Sequence, residues 1–305
     1  MKLEEHVPLA SFTTFHIGGE ARFFIEAFTE KDIEDAIAYA REHKLRVHPL
    51  GGGSNLLVPD HGVAGIVLKM SMRDIAYEND GDETLLIADA GAVWENGIDD
   101  ATTRDLFGIE NLAGIPGTIG GATVQNIGAY GAELADMFAY ADVIDSATGA
   151  ARRIDRAEAA FAYRTSFFKK HRELIITRVA LRLIASATPN IVYPDLVRAQ
   201  AEGVSLSTPN EIARAIRAIR AAKFPQNSGE GTAGSFFKNP VISQELADAL
   251  AKQFPDAPQF VQKDGRVKIP LAWLLDHALA LKGFEKGAVR LYEKQPLVIV
   301  ARAGA

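Results

Sequence analysis

Residues 21–55 read ARFFIEAFTEKDIEDAIAYAREHKLRVHPLGGGSN, and their periodicity decides the fold class. Ala21–Ala27 is a short apolar run of the kind that forms a buried strand. Thr29 then precedes Glu30, Lys31 and Asp32. A threonine N-cap with acids in the first turn predicts a helix start, through capping and the helix dipole. Ile33, Ile37 and Ala40 recur at three- and four-residue steps, which predicts an amphipathic helix over Glu30–His43. Arg46–Leu50 predicts the next strand, and Gly51-Gly52-Gly53-Ser54-Asn55 breaks it. A β–α–β unit ending in a glycine loop places the chain in the α/β layer class.

Outward from this unit, a second α/β block is expected from about Ile66 to Ile184. Its strand candidates are Ile66–Met70, Thr84–Ala88, Ala141–Asp145 and Leu174–Leu183. A helix at Trp94–Arg104 leads into the glycine-rich stretch Gly108–Gly131. The pattern loosens around Thr188–Ser207, with Pro189, Pro194 and Gly203. A helix N-capped by Asn210 and ended by Pro225 follows, then a loop at Gln226–Gly234. Helices at Ser243–Phe254 and Leu271–Leu279 and a strand at Gln295–Ala301 complete the chain. A domain boundary near Gly203 gives residues 1–203, in two parts of about 1–65 and 66–203, and residues 204–305.

The composition narrows the function classes. The chain has 305 residues and no cysteine, and its formal net charge is −6, from 33 Lys plus Arg against 39 Asp plus Glu. Cysteine-ligated zinc, iron–sulfur clusters, disulfides and thiol nucleophiles are excluded. Mild acidity argues against a nucleic-acid-binding protein, which needs an excess of Lys and Arg on one face. No stretch approaches the roughly 20 apolar residues of a membrane span. Met1–Ala10 carries Lys2, Glu4, Glu5 and Pro8 and lacks the apolar core of a secretory signal. A soluble cytoplasmic protein is expected, without nucleic-acid or membrane partners.

The motifs admit two readings each. Gly51–Asn55 exposes successive backbone N–H groups that suit a pyrophosphate, and it serves equally as a turn ending a strand. It lacks the Gly-Lys-Ser/Thr of a P-loop, and Leu56 replaces the third glycine of a dinucleotide fingerprint. Gly229-Glu230-Gly231-Thr232-Ala233-Gly234 matches that fingerprint formally, but it follows a loop and cannot open a long helix before Pro240. Six glycines within Gly114–Gly131 favour a ligand wall over a long structural loop. Arg164 suits clamping a carboxylate or phosphate, though a lone arginine is more often a surface charge. Ser235, beside Lys238 and Asn239, is a candidate proton-handling group or a turn cap. The seven histidines form no metal-binding spacing, and no metal site is expected.

Together these segments resemble the UDP-N-acetylenolpyruvoylglucosamine reductase family. The matching pieces are Thr13-Thr14-Phe15 with Gly18-Gly19, GGGSNLL at Gly51–Leu57, GIPGTIGG at Gly114–Gly121 and QNIGAYG at Gln125–Gly131. YRTSFFK at Tyr163–Lys169, RAAKFP at Arg220–Pro225, GSFFKNP at Gly234–Pro240 and Lys294–Val300 follow in family order. Val192-Tyr193-Pro194-Asp195-Leu196 resembles the substrate-covering loop of one subfamily.

The resemblance implies an α/β (α+β) fold: a two-part FAD-binding domain of the vanillyl-alcohol-oxidase type with a smaller α+β substrate domain. It implies FAD and NADPH as cofactors, a UDP-linked enolpyruvyl amino sugar as substrate, and a monomer. Ser235 matches the proton donor and Arg164 the residue that stabilises charge on the enolpyruvyl carboxylate. Gly51, Gly52, Gly53, Ser54 and Asn55 match the FAD pyrophosphate loop, and Gly117, Ile119 and Gly121 the wall beside the flavin. Tyr130, Tyr193, Lys223, Asn239 and Gln295 match the substrate-binding positions. The family pattern continues past Leu297–Val300 with a helix and a strand bearing a catalytic glutamate. This sequence ends at Ala305, and Glu293 lies before the strand. A chain that binds FAD and accepts hydride, but turns over the enolpyruvyl substrate slowly, is therefore expected. Two other readings stay open: an FAD oxidoreductase of the same fold with another substrate, and a flavin- or nucleotide-sugar-binding protein without turnover.

Overall fold

The computed structural model describes residues 1–225, 229–302 and 304–305. The chain divides into two compact units. The first comprises Met1–Phe12, Gly18–Gly53 and Val58–Arg220; the second comprises Thr13–Ile17, Ser54–Leu57 and Ala221–Ala305. Gly203, where the sequence suggested a boundary, lies inside the first unit.

In the first unit, β1 (Leu3–Pro8), β2 (Glu20–Ala27), β3 (Val47–Leu50) and β4 (Val63–Met70) form a sheet in the order β1-β2-β4-β3. The helix α1 (Glu30–Glu42) makes the crossover from β2 to β3, and both strands run parallel to β4. The start of α1 follows the sequence closely. The Thr29 hydroxyl accepts from Asp32 N–H, and the Asp32 carboxylate accepts from Thr29 N–H, a reciprocal capping box. Ile33, Ala36, Ile37 and Ala40 form its buried face. Ile66–Met70, grouped by the sequence with the second block, instead lies within β4, between β2 and β3.

The second layer of this unit begins with β5 (Ile75–Asp80) and β6 (Glu83–Asp89). Then come α2 (Trp94–Thr103), α3 (Ile119–Gln125), the two-residue strands β7 (Gly128–Ala129) and β8 (Ala132–Glu133), and α4 (Leu134–Met137). Strands β9 (Phe138–Asp145) and β10 (Ala151–Asp155), helix α5 (Phe167–Lys170), strand β11 (Leu174–Leu183), and helices α6 (Pro194–Ala201) and α7 (Pro209–Lys223) follow. An antiparallel sheet runs β10-β9-β11-β6-β5. The sequence LIITRVALRL of β11 is apolar almost without alternation because the strand is central and buried. A single hydrophobic cluster joins the two layers, from Ile25, Ile33 and Leu68 to Trp94, Phe138 and Val179.

Three expectations change here. The glycine-rich stretch 114–131 is not one long loop, since α3 lies within it. Its Gly120 packs so closely that a Cβ would stand 2.7 Å from Ala90 Cβ. The Tyr193 segment carries α6, with Tyr193 at the N-cap and Pro194 in the first turn. Asn210 lies inside α7, not at its cap. The Thr208 hydroxyl accepts from Glu211 N–H at 3.2 Å and Glu211 returns the bond to Thr208 N–H at 3.2 Å, with Pro209 opening the helix.

The second unit contains β12 (Gly231–Ser235), β13 (Val241–Ile242), α8 (Gln244–Gln253), β14 (Phe260–Val261), β15 (Val267–Lys268), β16 (Glu285–Lys286), β17 (Val289–Tyr292) and β18 (Gln295–Ala301). Its sheets run β12-β18-β17-β16 and β13-β15-β14. Of the loop expected at Gln226–Gly234, residues 226–228 lie outside the described residues, and Gly231–Gly234 belong to a strand. The helix expected at Leu271–Leu279 is a turn at Leu271–Trp273 followed by a π-helical turn at Leu274–Ala278. Two small cores hold the unit, around Val267 and Ile269 and around Val298 and Val300.

Candidate active site

In the first unit, two glycine segments meet backbone to backbone. A Cβ on Gly51 would stand 2.4 Å from Thr118 Oγ1, and one on Gly52 would stand 2.7 Å from Gly117 Cα. Only glycine permits this approach. Gly53 is buried with φ +64°. The N–H groups of Gly52 and Gly53 donate to no other described residue. An unpartnered amide is costly where it is buried, as at Gly53, so these groups suit an external acceptor. The segment Gly117–Gly120 is fixed from behind. Gly117 C=O accepts from Trp94 N–H at 3.0 Å, and Ile119 N–H and Gly120 N–H donate to Ala92 and Ala90 carbonyls at 2.9 Å each. Thr118 caps α3 by accepting from Gly121 N–H, and Gly121 itself is exposed. The Ile119 side chain is 1% exposed and packs in the core. Its N–H and C=O are both used, by Ala92 and by the Thr123 hydroxyl. Ile119 therefore holds this turn in place. Ser54 and Asn55 cluster with the second unit.

Arg164 occupies a two-residue turn closed by Ala162 N–H to Thr165 C=O at 3.1 Å and Thr165 N–H to Ala162 C=O at 3.0 Å. Its φ of +55° is one that suits glycine or asparagine at the second central position. The guanidinium donates to the Gly128 and Asn126 carbonyls. Among the described residues it pairs with no carboxylate. It also lies over the Tyr163 ring, 5.6 Å from the ring centre. A half-buried cation held by carbonyl dipoles and a ring face, without a carboxylate, is prepared for an anion.

Asn126 supports this turn. It is fully buried, ends α3 in the left-handed region at φ +46°, and satisfies its whole side-chain amide. Its Nδ2 donates to Glu133 Oε2 at 3.0 Å and to Ala162 C=O at 3.1 Å, while Oδ1 accepts from Ala135 N–H at 3.0 Å. One side chain thereby joins the end of α3, the start of α4 and the Arg164 turn.

Tyr130, buried and also left-handed at φ +46°, packs edge-to-face on Tyr193 with ring centres 5.1 Å apart. Burial pushes the Tyr130 phenol up, while the Arg220 guanidinium, hydrogen-bonded to it, pulls the other way. Arg220 Nε donates to Gly114 C=O at 2.9 Å, and burial pulls its guanidinium below the usual range. Burial also raises the Tyr193 phenol, with Asp195 adding to the shift. Arg220 lies in the RAAKFP stretch and Asn126 in QNIGAYG, yet neither had an expected role.

In the second unit, Ser235 ends β12 and is exposed. A register shift between Thr232 and Ser235, with Gly234 at φ +70°, marks a bulge just before it. β12 is held on both edges. β18 pairs with it on one side. On the other, Thr232 N–H donates to Thr14 C=O at 2.8 Å and the Thr14 hydroxyl donates to Thr232 C=O at 2.6 Å. Gly231 allows this, since a Cβ there would fall 1.8 Å from Phe15 O. Glu230, just before the strand, pairs with Arg290 at 2.6 Å and Arg302 at 2.9 Å. Asn239 Oδ1 accepts from Leu271 N–H at 3.0 Å. That bond fixes the orientation of the amide and leaves Nδ2 as a donor. Lys223 is the last residue of α7, and Gln295 opens β18. Among the described residues there is no group of three or more His, Cys, Asp or Glu able to hold a metal ion, and no helix long and apolar enough to cross a membrane.

Taken with the fold, the site defines a flavoprotein class: residues 21–155 match the family model described as an FAD binding domain. Residues 225–305 match the model of the UDP-N-acetylenolpyruvoylglucosamine reductase C-terminal domain. A Pseudomonas aeruginosa protein named UDP-N-acetylenolpyruvoylglucosamine reductase is 39% identical over 308 residues, covering 100% of this chain and 90% of that protein. A Shewanella sp. protein of the same name is 36% identical, with 96% and 85% coverage. A solved UDP-N-acetylenolpyruvylglucosamine reductase from Thermus caldophilus superposes with a TM-score of 0.69 at 26% identity, covering 100% of this chain and 90% of its own. The chain belongs to the UDP-N-acetylenolpyruvoylglucosamine reductase family.

Proposed function

We propose that the chain is an NADPH-dependent flavoenzyme that reduces the enolpyruvyl group of UDP-N-acetylglucosamine enolpyruvate to UDP-N-acetylmuramate, in cytoplasmic peptidoglycan precursor synthesis. Beside family membership, one observation carries the reading: the Arg164 guanidinium, set in a strained turn, hydrogen-bonded to the Asn126 and Gly128 carbonyls and over the Tyr163 ring, with no carboxylate partner among the described residues. A fixed cation of this kind suits the enolpyruvyl carboxylate, on which negative charge grows during reduction.

The close approach of Gly51 and Gly52 to Gly117–Thr118, with the unpaired Gly52 and Gly53 N–H groups, fits the pyrophosphate of FAD. Gly51, Gly52, Gly53, Ser54 and Asn55 would hold that pyrophosphate, with Gly117, Ile119 and Gly121 forming and supporting the wall beside the ring. The chemistry that bound FAD would supply is hydride transfer from NADPH to the terminal carbon of the enolpyruvyl group. Ser235 gives a proton to the neighbouring carbon, which completes saturation of the double bond. The exposure of Ser235 at the end of β12, just beyond a bulge, supports this role. Tyr130, Tyr193, Lys223, Asn239 and Gln295 bind the nucleotide sugar, and Asn239 Nδ2 is the most clearly oriented donor among them.

Anaerobic stopped-flow absorbance separates the two halves of this reaction. Ser235→Ala is expected to leave flavin reduction by NADPH near the parent rate and to slow reoxidation by the enolpyruvyl substrate by roughly hundredfold or more. Equal loss in both halves would remove Ser235 from the proton-donor role. A colourless protein that takes up no FAD would end the flavin reading altogether.

A further inference from the structure

Lys69 belongs to no recognised motif. It projects from β4, and its ammonium donates to the Gly51 carbonyl. The side chain is half-buried, and burial lowers the ammonium below its ordinary value. Glu26, whose charge reaches Lys69, is engaged elsewhere: its Oε1 accepts from the Ser71 hydroxyl at 2.6 Å. A cation thus sits against the first carbonyl of the glycine loop, with a backbone oxygen as its hydrogen-bond partner.

That bond has a geometric consequence. In a planar trans peptide the C=O and the following N–H point in opposite directions. Holding the Gly51 carbonyl on the Lys69 side therefore turns the Gly52 N–H to the other side of the loop. The Gly52 N–H is one of the two loop amides that donate to no other described residue. Glycine alone would leave this peptide free to flip, because it adopts both signs of φ about equally. Something other than the loop sequence has to choose the orientation.

We infer that Lys69 is a positioning residue of the cofactor loop, whose bond to the Gly51 carbonyl presents the Gly52 N–H to a pyrophosphate and whose charge favours that anion. This rests on the reading of Gly51–Asn55 as the FAD pyrophosphate loop. The lysine acts through the loop backbone and through its field, part of which salt screens because the ammonium is only half-buried.

FAD titrations of the apoprotein test the inference, with Lys69→Met, Lys69→Gln and Lys69→Arg beside the parent. Affinity is read from flavin fluorescence at low and high salt, and folding from the urea midpoint of each apoprotein. Loss of a charge-assisted bond and its field should weaken FAD binding by roughly 10- to 100-fold in Lys69→Met and flatten the salt dependence. Lys69→Gln keeps a donor without charge, so it should recover part of the affinity and none of the salt dependence. Lys69→Arg keeps both and should stay within about threefold of the parent. A general loss of stability would lower affinity without changing the salt dependence and would not be rescued by arginine. Lys69→Met with a parental urea midpoint and an FAD affinity within about twofold of the parent overturns the inference. If Lys69→Met does not fold, the same criterion applies to Lys69→Gln. A parent chain that binds no FAD overturns the loop reading and this inference with it; parental binding unaffected by the substitutions overturns this inference alone.

Discussion

Replacing Asn126 tests whether the Arg164 turn is built as described. Asn126→Ala removes three hydrogen bonds, to Glu133, Ala162 and Ala135, from a residue with no exposed surface. Each is worth about 1 kcal/mol net, more where a buried partner stays unsatisfied. Alanine at φ +46° adds about 1 kcal/mol of backbone strain that asparagine tolerates better. The expected cost is therefore about 4 kcal/mol. Asn126→Gly loses the same bonds but not the backbone term, so it should be about 1 kcal/mol less destabilised than Asn126→Ala. Urea denaturation followed by far-ultraviolet circular dichroism gives both differences. In the stopped-flow assay, reoxidation by the enolpyruvyl substrate should slow in Asn126→Gly, since both the Ala162 tether and the carbonyl facing Arg164 are disturbed. A cost below about 1 kcal/mol for Asn126→Ala, or a glycine variant less stable than the alanine one, would falsify the account of Asn126 as the joint of these segments.

Two further perturbations address the glycine contact and a buried carboxyl. Gly52→Ala places a Cβ 2.7 Å from Gly117 Cα, a backbone atom that cannot rotate aside. Strain of about 1–3 kcal/mol and at least roughly tenfold weaker FAD binding are expected, read from the urea midpoint and an FAD titration; parental values in both would show that the segments do not meet. Glu110 is 4% exposed, and burial raises its carboxyl above the ordinary value of 4.5 although Gly108 N–H donates to it. With the folded value above the unfolded one, ionisation weakens the fold as pH rises between the two, and the penalty is absent below 4.5. Glu110→Gln keeps an acceptor for Gly108 and should raise the urea midpoint near pH 7, with the gain fading near pH 4. A gain that is equal at both pH values would assign the effect to packing.

The elements that were legible in the sequence are those whose pattern is set by burial. Helix α1 was readable from Thr29 and the Ile33–Ile37–Ala40 stripe, and β11 from an unbroken apolar run. Among the strands that escaped, β1, β5 and β10 lie at sheet edges, where one flank meets solvent and the sequence turns polar, as in IAYEND and ARRID. Helix α3 escaped for a different reason. Its glycines lower intrinsic helix propensity, and the helix exists because Thr118 caps it and the 90–94 backbone binds its first turn. Short motifs marked Gly51–Gly53 and Arg164. They did not mark Lys69, whose partner is 18 residues away, and RAAKFP held Arg220 without pointing to its Gly114 partner 106 residues away. Such pairings are made by topology and leave no local signal.

Of the left-handed non-glycine residues of the first unit, three belong to the candidate site: Asn126, Tyr130 and Arg164, at φ +46°, +46° and +55°. Each conformation costs on the order of 1 kcal/mol and persists only where the surroundings impose it. For Asn126 the local structure supplies a sufficient reason. All three of its side-chain bonds point inward, and asparagine tolerates this region well. For Tyr130 the fixed backbone brings a buried phenol to Arg220 and a ring face to Tyr193. Arg164 differs from both. Glycine would suit the turn better, and the two carbonyls it binds belong to the chain ends of α3 and β7, which Asn126 and the β7–β8 pair already hold. Structural need alone therefore does not account for an arginine at that position. A guanidinium has five N–H donors, and Arg164 uses one on each of two carbonyls. The donors left over, on a cation with no carboxylate among the described residues, are what the strained backbone delivers.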